Sequence, residues 1–283
     1  MSSSNSLERY NAVCSKCSKL TTHQYSTSFT LGIRSLSKEY HDPIYAIYGF
    51  VRFADEIVDT FDRTDKSELL SKFKADTYQA IAQKISLNPI LHSFQGVVNK
   101  YHIENELIET FLQSMEMDLN EKGYSQSLYE KYILGSAEVV GLMCLRVFCN
   151  GDNSQFESLK FPAMRLGSAF QKINFLRDLK DDYHELGRTY FPGLEMSEFN
   201  DKSKSEIEKD IETDFKDGYL GIKSLPKGAR LGVYVAYVYY YALFKKIKRT
   251  SPQIVLNERV RIPNFYKYFL IIRSLFKHSL NLI

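Results

Sequence analysis

Two stretches of this chain carry oxygen donors and guanidinium groups at helical spacing. In residues 45–59, YAIYGFVRFADEIVD, the side chains Tyr48, Arg52, Asp55 and Asp59 fall at steps of four, three and four. They share one face of a helix, with two carboxylates one turn apart and an arginine one turn before them. In residues 171–182, QKINFLRDLKDD, the side chains Gln171, Asn174, Asp178 and Asp182 recur at steps of three, four and four. These also share a face, while Arg177 and Asp181 pair on a flanking one. Hard divalent cations take oxygen ligands, and Mg²⁺ in particular is held by a few carboxylates together with substrate phosphates and water. One such motif alone is ordinarily a solvated helix face, since an i,i+4 carboxylate pair costs only ~0.2–0.5 kcal/mol. Two matching motifs change that balance. If the helices face one another, each pair of carboxylates ~5 Å apart repels by about 3 kcal/mol at an effective dielectric of ~20, and the repulsion calls for cations. The residues therefore predict an aspartate-lined Mg²⁺ site in a helical bundle, built to receive diphosphate.

Placing these groups requires helices with an apolar side. Ile47, Val51, Ala54 and Val58 form that stripe beside the first motif. Asp42 followed by Pro43 predicts an N-cap and a first-turn proline, hence a helix starting near 43. In the second stretch Ile173 and Leu176 point toward packing. Further helices are predicted over 7–20, 68–85, 90–120, 129–149, 226–249 and 252–280, with Asn88-Pro89 as a break. Residues 21–28, TTHQYSTS, read as a polar loop rich in hydroxyls, and residues 1–6 as disordered. Gly135, Ala137 and Gly141 allow close backbone approach. The charged run 195–218 reads as a solvated surface helix with a mobile lead-in. No alternating Val/Ile runs and no internal repeat occur, so the expected fold is all-α, one domain over 1–283.

Composition narrows the function classes. With 44% apolar and 25% charged residues, a chain of 283 is globular and long enough for a sizeable core. The net charge of +3 and the lack of a dense Lys/Arg block argue against a nucleic-acid partner. Twenty tyrosines and nineteen phenylalanines without a tryptophan fill a core, or line a long apolar cavity where ring faces meet cationic species. The N-terminal MSSSNSLERY has no apolar h-region, and the apolar run 231–244 is shorter than the ~20 residues a spanning helix needs. Without a visible signal, four cysteines read as reduced thiols in the cytoplasm. Cys14 and Cys17 form a CxxC with no second pair at metal spacing, and Cys144 and Cys149 sit in an apolar run that suits core packing. The tail 265–283 reads as the last bundle helix, with an interfacial anchor as its rival.

Together, RFADEIVD at 52–59 and QKINFLRDLKDD at 171–182 resemble the paired aspartate motifs of the phytoene/squalene synthase family of isoprenyl diphosphate synthases. YSTSF at 25–29 is similar to that family's N-terminal substrate loop, GSAEVVG at 135–141 to its Gly/Ala-rich helix, and GRTYFP at 187–192 to the loop after its second motif. Tyr240 in YYALFKKI and Arg259 in NERVRIP match its C-terminal helices, so the likeness covers nearly the whole chain. It implies an isoprenoid-synthase bundle with a central apolar cavity. Asp55 and Asp59 would bind Mg²⁺ from the first motif, Asn174 and Asp178 from the second, with Asp182 one turn on. Tyr25, Ser26, Thr27, Ser28, Tyr48, Arg52, Gln171, Arg177 and Tyr240 would contact diphosphate or the reacting centre, and Arg259 and Arg188 would close the site.

Two departures stand out. Glu56 replaces the usual second aspartate of the first motif, and Glu138 takes a position often held by glycine, where a carboxylate would alter cavity shape or charge. The implied reaction is Mg²⁺-dependent head-to-head joining of two geranylgeranyl diphosphates to phytoene through a cyclopropylcarbinyl diphosphate, in carotenoid biosynthesis. The alternative is a farnesyl diphosphate enzyme making dehydrosqualene, or squalene with NADPH. A non-catalytic helical assembly factor is the distant rival. The expected partners are prenyl diphosphates and several Mg²⁺ ions, without NADPH, at a cytoplasmic location with peripheral membrane contact.

Overall fold

The computed structural model describes residues 3–61, 65–121, 123–184, 190–194, 199–280 and 283, and among them there is no strand. Helix α1 (Ser3–Tyr25) runs through residues 3–6, where disorder was expected, and through most of the expected polar loop. The reason is local. The Thr21 and Thr22 hydroxyls donate to the Cys17 and Ser18 carbonyls one turn back, both at 3.0 Å, so these polar side chains are satisfied inside the helix. The break shrinks to Ser26, whose extended backbone and Oγ, accepting from the Phe29 amide at 3.1 Å, cap α2 (Thr27–Arg34).

Helix α3 (Lys38–Asp59) starts earlier than expected, with Ser37 and not Asp42 at its N-cap. Pro43 lies inside it. Its missing amide forfeits one bond, to the Glu39 carbonyl, within a helix long enough to absorb the loss. Helix α4 spans Lys66–Gln83. Asn88 caps α5 (Pro89–Tyr101) by accepting from the Ile90 amide at 3.0 Å. The single helix expected over 90–120 is split at His102, whose φ of 53° is left-handed, and resumes as α6 (Asn105–Asn120).

Next come α7 (Gln126–Ile133), a π turn (Leu134–Glu138) and α8 (Val139–Cys149). By length and apolarity Gln126–Cys149 could cross a membrane, yet 61% of its apolar window is buried inside the bundle. The long α9 (Asn153–His184) carries the second motif. It is followed by α10 (Asp201–Ser224), α11 (Lys227–Lys248), α12 (Pro252–Asn257) and α13 (Asn264–Ser279), so the expected 252–280 helix is two.

Two large apolar clusters make most of the core, with a small third around Leu166, Ile222 and Tyr234. One gathers α3, α5, α6 and α8 around Phe50, which stacks on Phe94 at 3.9 Å and meets Phe111 at 5.4 Å. The other gathers α9, α10 and α11 around Ile173, Leu176, Phe215 and Phe244. Glycine lets their backbones approach. A Cβ on Gly167 of α9 would stand 2.8 Å from the Ala137 carbonyl oxygen, and one on Gly135 would stand 2.6 Å from that of Thr110 in α6. The π turn is thereby wedged against α6 and α9, and a cavity of about 550 Å³ lies beside it, walled by residues of both clusters.

Candidate active site

Both acidic motifs face this one cavity. Tyr48, Arg52, Asp55 and Asp59 reach it from α3, and Gln171, Asn174, Arg177, Asp178 and Asp182 from α9. Tyr240 comes from α11 and Arg259 from the segment after α12. Arg52 and Asp55 are half-buried, whereas Ile47 and Phe111 on the same lining are fully buried. The cavity is therefore charged at its opening and apolar within.

On the α3 side, Arg52 Nη1 stands 2.6 Å from Asp55 Oδ2, and Nη2 pairs with Glu56. The guanidinium lies 4.3 Å from the centre of the Tyr25 ring, which brings Tyr25 to the site by a cation–π contact. Arg52 Nε is buried without a hydrogen-bond partner, a donor available to an anionic oxygen. Tyr48 sits beneath, its ring 5.6 Å from Phe29. Burial pushes its hydroxyl up to about 12, with Arg52 opposing and Asp55 reinforcing the shift, so the phenol keeps its proton at neutral pH. Ser26 is half-buried as the cap of α2 and is not among the residues lining the cavity. Thr27 and Ser28 are not brought to the cavity: in the first turn of α2 their side chains diverge, Thr27 to solvent and Ser28 to a small crevice beside α13. A loop would have allowed all four residues of 25–28 to converge; a helix start does not.

The α9 side is held from outside the helix. Tyr240 Oη donates to Asn174 Oδ1 at 3.3 Å, and Asn174 Nδ2 to Gln171 Oε1 at 3.4 Å. Phe170 stacks on Tyr240 at 4.1 Å. Asp178 takes two guanidinium groups: Arg177 Nε at 2.9 Å and Arg259 Nε at 2.8 Å. Burial works against the Arg177 charge, but the Asp178 carboxylate overrides it and holds the proton more firmly than usual. Burial also raises the Tyr240 hydroxyl, with Arg177 opposing. Arg188 lies outside the described residues.

Among the described residues, no three His, Cys, Asp or Glu side chains form a ready-made metal cage. The four expected carboxylates share a cavity without merging: Asp55 is paired with Arg52, and Asp178 with Arg177 and Arg259, at less cost than crowding anions. The donor set still fits Mg²⁺. Asp55, Asp59, Asn174, Asp178 and Asp182 are hard oxygen donors on one lining, and Mg²⁺ is usually held by a few carboxylates plus substrate phosphates, not by a dedicated protein cage.

Several supporting groups escaped the sequence reading. The run 195–218 is not simply solvated: Lys204, Glu208 and Asp214 are buried. Asp214 accepts from Lys172 Nζ at 2.7 Å and Arg165 Nη1 at 3.1 Å, binding α10 to the back of α9. Glu138 belongs to the same network, accepting from the Ser168 hydroxyl and standing 3.5 Å from Arg165. It turns toward α9, while its neighbours Ser136 and Ala137 line the cavity. Asp118 accepts from the hydroxyls of Tyr132 at 2.7 Å and Tyr190 at 3.1 Å, both cavity residues. The one available signal was Arg165 and Lys172, two cations seven residues apart on α9.

Residues 22–266 match the family model described as squalene/phytoene synthase. The chain is 25% identical over 201 residues to the 4,4'-diapophytoene synthase of Staphylococcus haemolyticus, covering 70% of this chain and 68% of that one. It is likewise 25% identical over 250 residues to the chloroplastic phytoene synthase of Narcissus pseudonarcissus, covering 80% of this chain and 57% of that relative. A crystal structure of a dehydrosqualene synthase in complex with ligand aligns at a TM-score of 0.78 and 19% identity, over 97% of this chain and 98% of that one. The fold is thus the isoprenoid-synthase type of all-α bundle. The chain belongs to the squalene/phytoene synthase family.

Proposed function

We propose that the protein is a Mg²⁺-dependent prenyltransferase of the phytoene synthase type, joining two geranylgeranyl diphosphates head to head in carotenoid biosynthesis. The observation that carries this reading is one cavity with an acidic and guanidinium opening and an apolar interior of about 550 Å³. Its opening suits a diphosphate and its interior a prenyl chain. Mg²⁺ held by Asp55, Asp59, Asn174, Asp178 and Asp182 would supply Lewis-acid stabilisation of the departing diphosphate. Arg52, with its unpartnered Nε, and Arg177, firmly protonated, offer fixed positive charge where negative charge develops. Tyr48 and Tyr240 stay neutral, so they donate hydrogen bonds without adding an anion. The rings of Phe29, Tyr48, Phe170 and Tyr240 present faces that attract a carbocation and exclude the water that would quench it. NADPH has no part in this reading.

A second reading uses farnesyl diphosphate, favoured by the likeness to a diapophytoene synthase and a dehydrosqualene synthase. The deciding experiment incubates the purified chain with each diphosphate, with and without NADPH, and identifies products by mass. Phytoene from geranylgeranyl diphosphate alone supports the first reading. Turnover of farnesyl diphosphate with none of the longer substrate supports the second, and no product from either rejects both.

A further inference from the structure

Helix α13 is built inside out. An ordinary surface helix turns its apolar stripe inward and its polar face to water. Here the inward contact with the bundle is narrow, with Leu270 and Ser274 buried. The outward face carries Phe265, Ile272 and Phe276, exposed to 76%, 66% and 65%. At 3.6 residues per turn these three fall within about 40° of one another. Tyr268, Phe269 and Leu275 flank them and are also exposed. The patch is on the order of 600 Å² at ~200 Å² per aromatic ring, at the upper end of what a soluble monomer leaves uncovered. The helix has no acidic residue, while Lys267, Arg273, Lys277 and His278 lie along it. On the helical wheel Arg273 and Lys277 border the apolar face on one side, while Lys267 lies toward the bundle, its ammonium 5.3 Å from the Tyr239 ring centre of α11, and His278 is half-buried.

We infer that α13 is an interfacial helix that lays this outward face on an anionic bilayer. Charge complementarity selects the occupant. An apolar face bordered by cations matches the boundary between acyl chains and acidic headgroups. A second copy of this chain is a poorer fit, because a two-fold contact sets the same basic helix against itself with no carboxylate on either side to offset it. The inward side of α13 rests on α11, whose Gly232, Val233, Ala236 and Tyr240 line the cavity. Docking through α13 would thus hold the cavity wall close to the membrane. The inference stands on exposure and charge alone and does not depend on which diphosphate is used.

The test is flotation of the full chain with vesicles of phosphatidylcholine alone and of phosphatidylcholine with phosphatidylglycerol, at low and physiological salt. The chain is expected to float with the anionic vesicles and to lose binding as salt rises. Ile272→Glu and Phe276→Glu should each lower partitioning ~10-fold or more, as an exposed aromatic or aliphatic side chain loses its burial. Arg273→Gln and Lys277→Gln should each lower binding to anionic vesicles ~5-fold while leaving neutral vesicles unchanged. Ile272, Arg273 and Phe276 are exposed and Lys277 is half-buried, so the helical circular dichroism should stay that of the wild type. The inference is overturned if the chain fails to float with anionic vesicles at low salt, or if Ile272→Glu and Phe276→Glu float as the wild type does. It is equally overturned if light scattering finds a dimer that these two changes convert to monomer.

Discussion

In α3 the cavity-facing arginine pairs along its own helix, Arg52 with Asp55 and Glu56, and the buried side is locked by the Phe50–Phe94 stack. In α9 the carboxylate Asp178 is shared with Arg259 from beyond α12, Asn174 with Tyr240 of α11, and Lys172 behind them is tied to Asp214 of α10. One wall carries its own charge balance; the other borrows it from three other elements. The difference teaches where stability and chemistry coincide. Changing a polar group on α3 should touch catalysis with little effect on the fold, while changing one on α9 should disturb both.

The largest effect should come from Asp178→Asn, which removes the carboxylate two guanidiniums share and should cut turnover ~10³-fold, beside ~10²-fold or more for Asp55→Asn. Near-wild-type turnover in either, with unchanged circular dichroism, would reject the role given to these carboxylates. Next is Lys172→Met. It leaves Asp214, buried to 1% exposure, with only Arg165, and should lower unfolding free energy by about 3 kcal/mol in urea titration. Its counterpart on α3, Glu56→Gln, should cost about 1 kcal/mol or less. Equal losses at the two sites would break the comparison.

Gly167→Ala should cost about 1–3 kcal/mol, since the new Cβ meets the Ala137 carbonyl at 2.8 Å and backbone must move. The smallest effect concerns pH. Burial raises the Glu138 carboxyl above its ordinary value of 4.5, against the Ser168 hydrogen bond and the Arg165 charge. The folded chain therefore holds that proton more tightly than the unfolded one. The stability it contributes is fully present below 4.5 and drains away as pH rises through the raised value. Glu138→Gln has no proton to lose there, so its stability relative to wild type should improve across that window. A difference that stays flat with pH would show that Glu138 is not the titrating group.

The chemistry was easier to read in the sequence than the architecture that holds it. Steps of three and four put Arg52, Asp55 and Asp59 on one face whatever packs behind them, and the cavity brings that face and the α9 face together. Element ends were harder, because tertiary context sets them. Nothing local marks Ser37 as a better cap than Asp42, and His102 takes its left-handed φ where α5 must end and α6 turn back. The charged run of α10 misled for a related reason. Asp214 looks like any surface aspartate until Lys172, 42 residues earlier, is folded against it. Residues 21–28 read as a polar loop from their hydroxyls alone, whereas Thr21 and Thr22 bond back into α1 and Ser26 caps α2.

The π turn at Leu134–Glu138 has a consequence for chain length. A π turn holds one residue more than the α-helix it interrupts. The rod from Gln126 to Cys149 is therefore supplied with a spare residue, beside Ser136 and Ala137 of the cavity wall. Deleting one residue there would let the rod close up as plain α-helix with both ends in register. The same deletion within α3 or α9 would turn everything beyond it by about 100° and swing an aspartate off the cavity. Insertions and deletions can reshape the lining at this turn while both acidic helices keep their aim.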